Sequence, residues 1–149
     1  MTTQINRKSK TGAEMIASVV AYKHPELVLR FKRKIELDDV EAEQLFADTK
    51  RYLYLCTVAD KPLAPPAVID KGWHEFLMYT KDYQDFCIKH LGKFVHHTPN
   101  STLRPHAVLR ISDTSKLAAV HFGELSQNWR VYANDCSPDY DCNGGPSCK

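Results

Sequence analysis

The chain has 149 residues, the size of one domain with room for a substantial core. Its apolar share of 43% and charged share of 26% are those of an ordinary globular protein, and a formal net charge of +2 creates no field that would gather nucleic acid or anionic lipid. No stretch offers the roughly 20 apolar residues that cross a bilayer, so no membrane partner is expected.

The start, MTTQINRKSK, lacks the apolar run of a secretory leader, and residues 1–10 read as a disordered N-terminus. Its basic cluster (Arg7, Lys8 and Lys10) suits a solvated tail better than a nucleic-acid-binding arm. Thr11 and Glu14 then form a capping box ahead of Met15, Ile16, Val19 and Val20, which predicts a helix ending near Tyr22. Pro25 suits the first turn of a second helix with Val28, Phe31 and Ile35 inward. Asp38 and Asp39 open a long third helix. Its stripe of Ala42, Leu45, Phe46, Thr49, Tyr52, Leu53 and Cys56 follows the helical period.

The proline-rich ADKPLAPP stops that helix. A fourth is expected from Ala67 to about Tyr79, with Ile69, Gly72, Trp73 and Phe76 on one face. Thr80 is expected to cap a fifth, in which Tyr83, Phe86, Cys87, His90 and Leu91 share a side and Gly92 supplies a left-handed stop. A loop follows, then a helix from Asp113 or Thr114 to about Phe122. No run alternates long enough for a sheet. The expected fold is all-α: a compact single-domain bundle of five to seven helices over residues 11–132, anchored by Trp73, Phe76, Tyr83, Phe86 and Phe94. Residues 133–149 are expected to be a flexible Cys/Gly-containing tail.

The chemistry concentrates between Val68 and Pro99. Asp70 and His74 stand four apart, so a helix puts them on one face. Such a pair can share a cation through oxygen and nitrogen, or the carboxylate can fix the imidazole tautomer. It can also be no more than a surface hydrogen bond. His96 and His97 follow the fifth helix, which must fold back beside the fourth, so one or both could approach His74. Adjacent residues point apart, so one of the two is expected inward and the other outward. The candidate metal ligands are therefore Asp70, His74, His96 and His97, with Cys142 of the tail as a possible extra donor and zinc as the expected ion.

The five cysteines (56, 87, 136, 142 and 148) are an odd number in a chain without an export signal, which favours a reducing cytoplasm over a disulfide frame. Cys87 and Cys56 fall on inward stripes and read as inert core thiols, and His90 as a satisfied core or boundary histidine. A nucleophile–base pair built on Cys87 would need an oxyanion site or a depressed thiol pKa, and no motif announces either. The five-residue gaps between Cys136, Cys142 and Cys148 differ from the two-residue knuckle of zinc ribbons.

Four motifs in this order carry a resemblance: Arg51-Tyr52-Leu53; Asp70, Trp73 and His74; Thr80, Tyr83, Phe86 and Cys87; and Gly92, Phe94, His96, His97 and Pro99. Together they resemble the recurring segment of glycine-rich domain-containing-protein-like sequences, over about residues 44–132. Leu117–Trp129 resembles the closing helix of that family. Some of those relatives carry a second histidine two residues after the first, where this chain has Phe76. The resemblance implies a helical fold, a polar site and no settled reaction.

Three functions follow as expectations. The first is a small cytoplasmic metal-binding protein with an Asp/His site on a helical hairpin. The second is a helical binding or adaptor module, its Asp/His cluster structural and its tail engaging a protein or peptide partner. The third, resting only on the position that a three-ligand site leaves for water, is a metal-dependent hydrolase.

Overall fold

A computed structural model describes residues 10–98 and 111–131. The expectations for the first nine residues, for Pro99 and the rest of its loop, and for the tail with Cys136, Cys142 and Cys148 lie outside the described residues. Within them the chain is all-α, with α1 Gly12–Ala21, α2 Pro25–Lys34, α3 Asp39–Val58, α4 Ala67–Leu77, α5 Thr80–Phe86 and α6 Ile111–Phe122. A π-turn, Cys87–Leu91, extends α5, and a 3₁₀ turn covers Gln127–Trp129.

Local chemistry sets most of these boundaries. Thr11 and Glu14 close the capping box of α1, with Thr11 N–H donating to Glu14 Oε2 at 2.7 Å. Pro25 takes the first position of α2, and the cap there is His24, whose Nδ1 accepts the Leu27 N–H at 3.0 Å. Asp38 caps α3 in a second reciprocal box with Glu41. Gly92, at φ 78°, ends the π-turn in the left-handed conformation that a side chain would strain.

The helix α3 is the central post, packed against α1, α2, α4 and α6. Ala42, Leu45, Phe46, Thr49, Tyr52 and Leu53 are buried as its periodicity requires, and so are Asp48, Lys50, Tyr54 and Leu55. Its partner α4 comes unusually close at Gly72, where a Cβ would stand 2.5 Å from Thr49 Oγ1 and 3.2 Å from Leu45 Cγ. The same contact fixes the rotation of α4: Ile69, Gly72, Trp73 and Phe76 face the core, leaving Asp70 and His74 at its edge.

Two expectations need correction. Thr80 is the first residue of α5 and not its cap; Tyr79 holds the cap position without a side-chain bond. Only Met78 and Tyr79 separate the two helices, and Tyr83 N–H already reaches the Tyr79 carbonyl at 2.8 Å, so Thr80 is drawn into the first turn. Phe94 is no core anchor. It is 36% exposed, its ring lying over Tyr83 at 5.4 Å, because the extended segment after Gly92 alternates sides and Val95 takes the inward place.

Candidate metal centre

The helix α4 supplies two donors. One turn apart on the same edge, Asp70 Oδ2 and His74 Nε2 stand 3.6 Å from each other. The third donor comes from the extended segment beyond the π-turn, where Val95 points inward and His97, two residues on, points the same way. His97 Nε2 lies 3.0 Å from Asp70 Oδ1 and 2.7 Å from His74 Nε2. Donor atoms of Asp70, His74 and His97 thus all fall within 4.8 Å of one another.

A neutral imidazole satisfies the His97–Asp70 pair, His97 Nε2–H donating to Asp70 Oδ1 at 3.0 Å, and a cation seated among the three side chains would satisfy all of them at once. A cation bonded at about 2.0–2.2 Å with tetrahedral angles would hold its donors roughly 3.3–3.6 Å apart. The 3.0 Å from His97 runs to Asp70 Oδ1 and the 3.6 Å from His74 to Oδ2, each within a few tenths of an ångström of that spacing but on different oxygens, whereas the two imidazole nitrogens are closer, at 2.7 Å. Those would part slightly, and His74, with its side chain 55% exposed, is free to swing.

A hydrogen-bonded chain positions His97. Trp73 Nε1–H donates to Tyr83 OH at 3.0 Å, and that hydroxyl donates to the Val95 carbonyl at 2.5 Å. Burial pushes the Tyr83 pKa well up, which keeps it a donor. The Trp73 ring then lies 4.4 Å from the His97 ring and limits its rotation. Tyr52 backs Trp73 at 5.4 Å while its hydroxyl holds the Leu63 carbonyl at 3.0 Å. Tyr83 and Trp73 were legible as core residues, but not as the struts of this loop.

His96 is not brought into the group. Exposed, it packs edge-on against Phe94 at 4.6 Å. Cys142 lies outside the described residues. Cys87 and Cys56 are free thiols, and burial raises both pKa values, that of Cys56 to about 12, so neither has the thiolate character of a nucleophile. His90 is half-buried and satisfied: its Nδ1 meets Ser18 Oγ at 2.7 Å, as expected of a boundary histidine.

Fold and site together define a small all-helical protein carrying a half-exposed Asp/His group at the edge of a helical hairpin. A scan against family models matches residues 14–115 to the one described as UCP032817-like, and the chain belongs to that family. The matched span contains Asp70, His74 and His97. Its description names no activity and no glycine-rich domain, and neither it nor the geometry adds support for a hydrolase. Comparisons with curated proteins and with solved structures found no match. Among the described residues no helix is long and apolar enough to cross a membrane.

Proposed function

We propose that the protein binds a divalent transition metal, zinc in the first instance, through Asp70, His74 and His97. The observation that carries this reading is the convergence of the two Nε2 atoms and the carboxylate on one point, held on one side by a helix and on the other by the Tyr83–Val95 bond. Nitrogen and oxygen donors suit zinc and its neighbours in the first transition row better than soft ions. A reducing cytoplasm belongs to the same proposal and suits the free thiols of Cys56 and Cys87. So does the likeness to glycine-rich domain-containing-protein-like sequences, as a reading of the motifs.

The test begins with protein purified without a metal-affinity tag. Elemental analysis should find close to one transition metal per chain, or the stripped protein should take up one zinc. At a hundredfold excess over Kd, binding adds about 2.7 kcal/mol, which should raise the Tm by roughly 5–11 °C. Trp73 offers a second signal, since its ring touches that of His97. In a Trp129→Phe background it is the sole tryptophan, and cobalt should quench it in the wild-type site but not in His97→Ala. No stoichiometric metal, with Tm and fluorescence both unmoved, would end the proposal.

A second reading draws on the 3.0 Å bond between His97 and Asp70: the three side chains form a clasp closing the hairpin of an adaptor module, with partner capture left to the tail. Under it, Asp70→Asn and His97→Gln lower the Tm equally with and without zinc.

A further inference from the structure

We propose that the metal-loaded site, on the reading just given, is a receptor for a small anionic oxygen-donor ligand, which binds directly to the ion. Three observations point there. First, the donors approach from one side only. Asp70 and His74 share one edge of α4, and His97 reaches them from the segment beside it, so the ion's protein ligands occupy a single face. Two imidazoles and one carboxylate in that arrangement leave further positions open, where a closed structural zinc site has four protein ligands.

Second, the remaining face looks outward. Exposure rises across the group from 20% at His97 to 35% at Asp70 and 55% at His74. Among the described residues no further His, Cys, Asp or Glu donor joins the three. The two potential donors adjacent in sequence are engaged elsewhere, His96 against Phe94 and Glu75 with Arg30.

Third, the charge does not balance. One carboxylate against a divalent ion leaves the centre with a net charge of about +1, and neutral imidazoles do not alter it. An exogenous donor that completes the shell and is itself anionic removes both deficits. Carboxylates and hydroxamates have that chemistry, and a chelating member of the class can span two neighbouring open positions.

Cobalt-substituted protein tests this, with acetohydroxamate as the probe. Its visible spectrum reports coordination number, and a thiolate ligand adds a charge-transfer band in the near ultraviolet. The expected result is a cobalt complex without that band, whose spectrum shifts on adding acetohydroxamate and saturates at one probe per chain. The same shift should survive simultaneous replacement of Cys136, Cys142 and Cys148 by serine.

A cobalt complex that is four-coordinate and unmoved by the probe would overturn the proposal while leaving metal binding intact. So would a thiolate band that vanishes in the triple-serine variant, because a cysteine would then close the shell. Failure to bind cobalt or zinc at all would overturn the metal reading and this one with it. A shift that persists in a variant carrying Asp70→Ala, His74→Ala and His97→Ala would place the probe elsewhere and also count against it.

Discussion

His90 is held by a 2.7 Å bond to Ser18, in surroundings that disfavour its charge. Burial first, and then Lys10, Lys89 and Lys50, keep its pKa below the ordinary 6.5. These cations reach it from three places: Lys10 ahead of α1, Lys50 from α3, and Lys89 on its own π-turn. Tyr22 and Phe86 supply the apolar walls at 5.2 and 5.4 Å. A histidine with a depressed folded pKa leaves the unfolded chain holding more protons once the pH falls below about 6.5, so stability drops as pH falls through that window. Between about pH 5 and about pH 7.5, urea denaturation should show wild type losing stability relative to His90→Gln as the pH decreases, with a constant difference at the alkaline end. A difference independent of pH would mean that the imidazole ionises as freely in the fold as in the unfolded chain. Lys50 stands in a related situation. Desolvation brings its pKa down to about 8 while its ammonium serves the Val20 and Tyr22 carbonyls, at 3.2 and 2.7 Å, at the end of α1.

At the level of elements, the contact between α3 and α4 does most to place the site, and it depends on Gly72. Helix propensity alone would favour alanine there by roughly 1 kcal/mol. The added Cβ, however, would meet Thr49 Oγ1 at 2.5 Å, and that hydroxyl is tied to the Leu45 carbonyl at 2.7 Å and cannot easily turn away. Gly72→Ala should therefore destabilise by about 1–3 kcal/mol. Thr49→Ala makes room, so a double-mutant cycle should return a favourable coupling of about 1–2 kcal/mol; simple additivity would show that the helices separate without cost. How much of this was legible varies with how local the cause is. The start of α1, the place of Pro25 and the stop at Gly92 follow from neighbouring residues, and all were readable. The Asp70–His74 pairing was readable for the same reason. The choice of His97 over His96 was half readable: one had to turn inward, and the inward Val95 two residues earlier selects His97. The π-turn, by contrast, has no period of its own in the sequence. Asp48 and Lys50 escaped because an apolar stripe counts only apolar residues, and their burial is decided by partners many residues away.

For the molecule as a whole, Asp48 joins the central helix α3 to the last turn of the described chain. Fully buried on α3, its carboxylate accepts from Ser126 Oγ at 2.5 Å, Asn128 Nδ2 at 3.0 Å and Gln44 Nε2 at 3.1 Å, and Arg51 approaches at 3.3 Å. Two of these partners lie 78 and 80 residues further on. They belong to the turn that carries Trp129, which is 2% exposed and packs into the main core. A carboxylate that gathers several donors away from water is costly to remove, because the donors are stranded with it gone. Asp48→Ala should cost about 2–4 kcal/mol in denaturant unfolding. That loss should be distributed unevenly, since the carboxylate ties down one turn while α3 and α4 keep their own packing. In native-state hydrogen exchange, the amides of Trp129 and Arg130, bonded to the Ser126 and Gln127 carbonyls, should lose protection first. Amides of α4 should keep theirs, and the grouping of Asp70, His74 and His97 should persist. Equal loss of protection in both regions would show instead that Asp48 supports the whole bundle, with the 3₁₀ turn and the Asp/His group on one cooperative unit.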